Sequence, residues 1–291
     1  GLDQSGNYGF WPMLIGGLFL YVAYYGCDQS QAQRVLAAAS PEATRKVLLL
    51  NGILRFPLVL LYCLLGLALA AYATQQDFVS LLPLQENGQR NFNLAYPVYV
   101  LSTFPAGVVG LVMVGIFAAA MSSIDSALNS LSAATIEDYV RRTGERSERS
   151  LFIASKLATL GWGLFAVIFS YQVENIAPTV LEAINKVGSM ANGPLLALFT
   201  LALVFPGVGE RRAIVGFLVG LIANGVLWQF APGVSWLWWN VSGFIVAFTT
   251  AVIGSTLRPQ WPGRLVPAGT AGMLLGMAAL IFAVCVFFEW L

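Results

Sequence analysis

The sequence predicts an all-α protein that crosses a membrane several times, and three observations lead to this prediction. Hydrophobic residues make up 58% of the 291 residues, charged residues only 10%, and the mean hydropathy is +0.75. A soluble domain carries about 25% charged residues, so this chain is too apolar to be one. About eight segments are apolar over the roughly 20 residues that a spanning helix needs. They are 10–27, 47–73, 106–136, 151–171, 176–205, 212–230, 235–257 and 265–290.

The polar composition excludes several other classes of protein. Lys and Arg total 15 against 14 Asp and Glu, so there is no basic excess to bind nucleic acid. Histidine, a common general base and metal ligand, is absent. Cys27, Cys63 and Cys285 are far apart in apolar surroundings and indicate neither a disulfide framework nor a metal cluster. We therefore expect a protein that is not an enzyme.

The distribution of Lys and Arg predicts the orientation of the spans, because cytoplasmic loops accumulate these residues. Loops after odd-numbered spans hold them in groups, whereas the loops after even-numbered spans contain only Arg90. The former are predicted to be cytoplasmic, with both chain ends outside. We expect a multi-pass protein of the cell membrane, inner or plasma, embedded in its lipid bilayer. The cytoplasmic groups are Arg34, Arg45 and Lys46; Arg141, Arg142, Arg146 and Arg149; Arg211 and Arg212; and Arg258 and Arg264.

Two connections are more than simple loops. Residues 28–40 alternate polar and apolar side chains at helical spacing, which predicts a short amphipathic cytoplasmic helix whose end is marked by Pro41. Residues 74–105 form a long outside segment with three prolines and an apolar stretch too short to span. This segment is either a lid over a pathway or an ordinary surface loop.

The third span carries the densest group of polar residues. Ser122, Ser126 and Asn129 recur at i, i+4 and i+7, and Ser123 and Asp125 flank that stripe. Hydroxyls, one carboxylate and backbone carbonyls are oxygen ligands that suit a hard monovalent cation such as sodium. Serines and small residues also join membrane helices by close packing. Both interpretations remain open from the residues alone.

The first span combines aromatic residues with helix-weakening glycines. Tyr21 and Tyr24 lie near its inner end, next to a polar run. A glycine-interrupted span beside aromatic and polar groups is typical of the broken helices that line the substrate cavity of secondary transporters. The alternative is an aromatic belt at the membrane interface. The glycines are Gly16, Gly17 and Gly26.

Three further ionisable residues lie in predicted spans, where such residues are costly and mark functional sites by default. Arg55 lies about 12 Å inside the second span at 1.5 Å per residue, so it is either a substrate ligand or a cation that snorkels to the interface. Glu182 and Lys186 are spaced i, i+4 and can neutralise each other. The following Asn-Gly-Pro at 192–194 is expected to break or kink the helix.

These motifs resemble the sodium/solute symporter family. The resemblance rests on AAAMSSIDSALNSLSAATIEDYV in the third span, YYGCDQSQAQRVLAA at the exit of the first, and ANGPLLALF in the fifth. It implies the leucine-transporter-type fold, two inverted five-helix repeats with additional peripheral helices. Residues 1–205 correspond to the second repeat and 206–291 to three peripheral C-terminal helices. The chain begins at Gly1 without an initiating Met or a signal peptide, and we expect the first repeat to be a missing N-terminal part of the same protein.

The resemblance also implies a sodium site on the third span. The backbone carbonyl of Ala119 and the hydroxyls of Ser122 and Ser123 match the conserved sodium ligands of the family. Asp125 and Ser126 match a second sodium position that occurs in some members. Alternatively, Asp125 carries a proton.

The implied solute site lies on three other spans. Tyr24 matches the inner-gate tyrosine of the sugar-transporting branch, and Tyr21, Arg55 and Asn185 match its pocket positions. Arg55 and Lys186 together make an anionic solute plausible, because Arg presents a planar fork suited to a carboxylate. The expected function is sodium-coupled symport of a small polar solute (a sugar, a polyol, or an acidic sugar or carboxylate) by alternating access. The alternative is a transporter-like sensor module of a signalling protein.

Overall fold

The computed structural model describes residues 8–75, 77–84, 88–144, 147–173, 176–177, 179–205 and 207–253, and helices joined by short connections make up most of these ranges. A π-helical turn, Pro12–Gly16, leads into the first of nine α-helices in the described ranges. The α-helices are α1 Gly17–Cys27, α2 Gln29–Leu36, α3 Pro41–Gln75, α4 Ala95–Thr103, α5 Ala106–Thr135, α6 Glu148–Ser170, α7 Val180–Val204, α8 Glu210–Phe230 and α9 Leu237–Val252.

Five of these helices are long and apolar enough to cross a membrane. They are α3, α5 with its π-helical extension to Val140, α6, α7 and α8. Pro12–Cys27 and Leu237–Val252 are shorter apolar helices at the first and seventh predicted spans. The prediction of an all-α polytopic membrane protein is therefore confirmed. The eighth predicted span, 265–290, and the end of the seventh lie outside the described residues.

The junction between the first two helices follows from Asp28. Its backbone is extended, with φ −75° and ψ 122°, so α1 ends there. Its carboxylate accepts a hydrogen bond from the backbone N–H of Gln31 at 3.0 Å and from the Ser30 hydroxyl at 2.5 Å. A carboxylate that accepts a hydrogen bond from the backbone N–H three residues further along the chain is a helix N-cap. Asp28 therefore starts α2 directly after α1.

Pro41 has the opposite role to the one predicted. Helix α2 already ends at Leu36, and Pro41 is the first residue of α3. Proline is favoured at the first position of a helix, where no backbone N–H is needed, and the Ser40 hydroxyl accepts from the N–H of Ala43 at 3.2 Å. The long helix consequently begins well before residue 47, the predicted start of the second span.

The chain divides into two compact units, Gly1–Ala32 with Leu181–Leu291, and Gln33–Val180. In the first unit, α7, α8 and α9 approach closely through small residues. A Cβ at Gly193 of α7 would clash with the carbonyl oxygen of Asn240 in α9. The π-helical turn approaches α9 equally closely, since a Cβ at Gly16 would lie 2.5 Å from the carbonyl oxygen of Leu237. Trp236, Leu237 and Trp239 form the buried apolar cluster of this unit.

The second unit is more open. In the most apolar windows of α3, α5 and α6, 0% of the residues are buried, compared with 28% in α7. Helices α5 and α6 contact each other near the end of α5, where the indole N–H of Trp162 donates to the Thr135 hydroxyl at 3.0 Å. Much of the apolar surface of this unit is thus left for lipid or for another protein segment.

The described parts of the long outside segment have a small core of their own. Tyr99 of α4 makes edge-on ring contacts with Tyr72, Phe78 and Phe104 at centroid distances of 5.2 to 5.8 Å. The Arg90 guanidinium donates to the carbonyl oxygens of Ser80 and Leu82 at 2.5 and 3.0 Å. These contacts give the segment a defined fold, and whether it acts as a lid or as a surface loop stays open.

Candidate functional site

The first half of the polar stripe on α5 is exposed. Ser122, Ser123 and Asp125 are exposed, and their side chains make no hydrogen bond or ion pair within the described ranges. Ser126 donates its hydroxyl to the carbonyl oxygen of Ser122 at 3.1 Å. Ala119 lies one turn earlier and is also exposed. The predicted sodium ligands thus follow one another over about two turns of one helix, and we call them the oxygen row of α5.

The last turns of the same helix, from Ser130 onward, use their hydroxyls for helix packing. Ser132 is 1% exposed, and its hydroxyl lies 3.0 Å from the carbonyl oxygen and 3.1 Å from the hydroxyl of Ser155 in α6. The Ser130 hydroxyl lies 2.9 Å from the Ser126 carbonyl oxygen and 3.2 Å from Oε1 of Gln33. The packing interpretation of this serine-rich span therefore holds for Ser130 and Ser132.

The tyrosines at the end of α1 form one aromatic cluster. Tyr21 stacks on Tyr25 at 6.4 Å, and Tyr24 meets Tyr25 edge-on at 5.1 Å. The side-chain amide of Gln31 in α2 donates to the Tyr24 hydroxyl at 2.7 Å. Since Asp28 caps α2 and fixes its first turn, the short helix presents Gln31 to Tyr24.

Helix α7 carries two more of the predicted solute residues, at consecutive positions. Asn185 is half-buried and donates to the carbonyl oxygen of Leu181 at 2.8 Å. The Lys186 ammonium lies 5.3 Å from the ring centroid of Trp228 and 5.9 Å from that of Trp239. Within about 6 Å, a cation is attracted by the face of an indole.

The two charged residues that the sequence spaces at i, i+4 make different contacts. Lys186 faces the indole rings, whereas Glu182 faces Tyr8. Burial raises the pKa of Tyr8, and the Glu182 carboxylate raises it further, by its negative charge and by a hydrogen bond. Tyr8 itself packs edge-on against Trp236 at 6.3 Å. The structure thus assigns the two residues separate roles at the start of α7.

Arg55 belongs to the second unit, with the oxygen row of α5. It lies in α3, two residues before Pro57, and its side chain is exposed. The structure therefore groups Tyr21 with Tyr24 and Asn185 with Lys186 in one unit, and Arg55 with the α5 residues in the other.

Sequence reasoning missed a buried polar cluster that joins α7, α8 and α9. Asn224 and Asn240 are 0% exposed, as is Ser189. The amide of Asn240 donates to the Ser189 hydroxyl at 3.0 Å, and the Ser242 hydroxyl donates to the carbonyl oxygen of the Asn224 side chain at 3.1 Å. The available signal was an asparagine inside each of two otherwise apolar spans.

Comparison of the sequence with known proteins assigns the chain to a family. The sequence model of the sodium:solute symporter family matches residues 3–220. The chain belongs to the sodium:solute symporter family. The resemblance seen in the sequence is thereby confirmed, and a family of membrane transporters agrees with the spanning helices and with the expectation that the protein is not an enzyme.

Its curated relatives are sodium-coupled carriers by name. The sodium-dependent multivitamin transporter of Oryctolagus cuniculus is 34% identical over 225 residues, or 76% of this chain and 34% of that transporter. The sodium/sialic acid symporter NanT of Aliivibrio fischeri is 29% identical over 258 residues, or 87% and 48%. The sodium-coupled monocarboxylate transporter 1 of Mus musculus is 27% identical over 220 residues, or 75% and 35%. The chain spans between about a third and a half of the length of these symporters.

Proposed function

We propose that this chain is part of a sodium-coupled symporter that carries a small polar solute by alternating access. The match of the symporter family to residues 3–220 is the observation on which this proposal rests. The unpaired oxygens of α5 add a structural reason, because a cation that is carried across a membrane needs ligands that the protein does not use elsewhere. No covalent chemistry is required.

In this proposal sodium binds to the row of oxygens on α5. The carbonyl of Ala119 and the hydroxyls of Ser122 and Ser123 are the first set of ligands, and Asp125 and Ser126 offer a second. These residue types fit the ion, since the side chains of Ser122, Ser123 and Asp125 are without partners in the described part of the chain. A carboxylate next to hydroxyls also fits a proton, and the experiment below separates the two ions.

The residues proposed to contribute to solute binding, as the family resemblance implies, are Tyr21, Tyr24, Arg55, Asn185 and Lys186. Two of these five residues are cationic, which favours an acidic sugar or another carboxylate over a neutral sugar or polyol. The names of two relatives, a sialic acid symporter and a monocarboxylate transporter, point in the same direction. Sodium and solute must favour the same conformation, so each raises the affinity of the other by the same factor.

The remaining ligands are proposed to come from an N-terminal repeat of the same protein. The relatives are two to three times as long as the matched part. In addition, the apolar side chains of α3 and of the first half of α5 are exposed, among them Leu61, Leu67, Leu111 and Phe117. A segment that covers these faces would complete the sodium site beside Ser122.

The proposal is tested by uptake into proteoliposomes that contain the full-length protein. The solutes are sugars, polyols, sialic acid and small carboxylates, offered with and without an inward sodium gradient. We expect sodium-driven uptake of an acidic solute, and we expect Ser123→Ala to lower the apparent sodium affinity of that uptake. Ser132→Ala is the matched control, since it removes a hydroxyl from the same helix at the α6 contact.

Two other outcomes would redirect the proposal. Uptake that needs a pH gradient and not sodium would make Asp125 a proton carrier and remove the sodium site. No uptake of any solute, with the protein folded and sodium present, would contradict symport and favour the sensor module.

A further inference from the structure

Helix α7 contains a proline in its middle and is nevertheless continuous. Pro194 lies inside Val180–Val204 and is buried. Proline has no backbone N–H, so the carbonyl oxygen four residues earlier, that of Met190, lacks its normal helical donor. In an apolar surrounding such a carbonyl is tolerated only when a neighbouring group replaces the lost hydrogen bond.

Asn224 of α8 supplies that replacement. Its side-chain amide donates to the Met190 carbonyl oxygen at 2.9 Å and to the Trp239 carbonyl oxygen of α9 at 3.0 Å. The Ser189 carbonyl oxygen is the next acceptor, at 3.4 Å. Ser242 helps to orient the amide, because its hydroxyl lies 3.1 Å from the amide oxygen and equally far from the Trp238 carbonyl oxygen. One side chain thus connects the proline gap of α7 to both neighbouring helices.

The turn of α7 that precedes Pro194 is attached at two further points. The Asn240 amide donates to the Ser189 hydroxyl at 3.0 Å. One turn earlier, the Lys186 ammonium lies over the rings of Trp228 in α8 and Trp239 in α9. The turn that carries Asn185 and Lys186 is therefore fixed to α8 and α9 from both of its ends.

We propose that Asn224 is a positioning residue that takes the place of the missing N–H at Pro194. In doing so it holds Asn185 and Lys186 in the orientation in which they meet the solute, and it sets the apparent solute affinity. The second part of this inference rests on the proposed function, because it assumes that Asn185 and Lys186 bind solute. The first part concerns the backbone of α7 alone.

Restoring the backbone N–H distinguishes this role from simple packing. Asn224→Leu removes the amide but keeps a side chain of nearly the same size. Pro194→Ala restores a backbone N–H at position 194 that can donate to the Met190 carbonyl oxygen. If Asn224 replaces that N–H, the second change should repair the first. If Asn224 only fills space, the two changes should add, since Pro194→Ala also removes packed atoms.

The experiment compares full-length protein carrying Asn224→Leu, Pro194→Ala, both changes or neither. Gln229→Leu is the matched control, because it removes an amide at an exposed position of α8 that makes no hydrogen bond in the described structure. Hydrogen exchange of the backbone amides of 186–197 reports on the helix, and the KM of sodium-driven uptake reports on solute affinity.

We expect Asn224→Leu to speed exchange in 186–197 and to raise KM, each about tenfold, as for a buried hydrogen bond lost without replacement. The double variant should return both to within about twofold of the unchanged protein. Gln229→Leu should leave both unchanged, and Pro194→Ala alone should change each less than Asn224→Leu does, because it removes packed atoms but adds a backbone donor. An effect of Asn224→Leu that persists or grows in the double variant would overturn the inference, as would normal exchange in Asn224→Leu.

A second variant and the comparison of the two measurements cover the remaining outcomes. If Asn224→Leu does not fold, Ser242→Ala loosens the orientation of the same amide, and we expect about threefold faster exchange in 186–197 from this weaker change; unchanged exchange would then count against the role. If exchange responds as expected but KM does not, the backbone role stands and the solute role of Asn185 and Lys186 is wrong. Absence of transport contradicts the proposed function alone, because exchange is measured without solute.

Discussion

The row of oxygens on α5 and the buried amides of α8 and α9 are both polar groups in apolar helices, yet they differ in their partners. Asn224 and Asn240 are fully buried, and their side-chain N–H groups donate to α7 and α9. Ser122, Ser123 and Asp125 are exposed, and their side chains have no partner in the described ranges.

This difference separates polar groups that hold the fold from groups that are available to a ligand. A buried amide whose N–H groups donate to neighbouring helices stabilises one arrangement of those helices. An exposed carboxylate beside two hydroxyls, with no partner among the described residues, marks a candidate site for a ligand in a spanning helix. The same reasoning divides α5 at about Ser126: the polar side chains before it are available to a ligand, and the hydroxyls after it join helices.

The largest expected effect tests that division along α5. Ser122→Ala with Ser123→Ala should lower the apparent sodium affinity of uptake by about a hundredfold, because each hydroxyl is a proposed ligand, while thermal stability stays unchanged. Ser132→Ala should lower thermal stability and leave the sodium affinity unchanged, since it removes a buried interhelical hydrogen bond that contributes about 1 kcal/mol. Sodium titrations of uptake and thermal unfolding in detergent measure the two effects. Equal stability losses in both variants would remove the distinction.

The next effect concerns the close approach of α7, α8 and α9. Gly243→Ala would place a Cβ 2.7 Å from Cδ of Pro194 and in conflict with the Asn224 amide. We expect a loss of about 2 kcal/mol in the free energy of unfolding, as for other overpacked cores. Gly225→Ala on α8 meets no atom within 4 Å and should be neutral or slightly stabilising. The two proteins are compared by thermal unfolding, and a neutral Gly243→Ala would contradict the packing described.

A smaller effect compares two lysines that both lie over aromatic rings. Lys186→Gln should cost about 1 kcal/mol of stability, because this half-buried ammonium contacts two indoles. The Lys156 ammonium lies 4.4 Å from the Phe152 ring centroid but is exposed, so Lys156→Gln should change stability little. Under the proposed function only Lys186→Gln also weakens uptake of acidic solutes. Matched losses at both positions would show that burial of the cation is irrelevant.

The smallest effect concerns Tyr24 and Gln31. Each of Tyr24→Phe and Gln31→Leu removes the same partly exposed hydrogen bond, with a net contribution of about 0.5 kcal/mol. The double variant should therefore be no worse than either single variant in the KM of sodium-driven uptake. This is measured as a double-mutant cycle. Additive effects would mean that Gln31 does not act through Tyr24.

Much of the helical layout could be predicted because spanning helices are long and apolar. The predicted spans 106–136, 151–171 and 212–230 agree closely with Ala106–Thr135, Glu148–Ser170 and Glu210–Phe230. Pro41 was misread because a proline marks both the end of one helix and the first position of the next, and the sequence alone does not distinguish them. The reading of the candidate site as sodium and solute ligands stays a prediction for the residues named.

The sequence by itself determined that the chain is helical, that it belongs in a membrane and which family it joins. These properties follow from local composition and from short motifs that do not depend on distant contacts. Only the tertiary structure decided which polar residues have partners. Asn224 and Met190 are 34 positions apart, and Pro194 reveals a missing donor without indicating which residue replaces it. A hydrogen bond between helices depends on their packing, so a polar residue in a span acquires its role only when its neighbours are known.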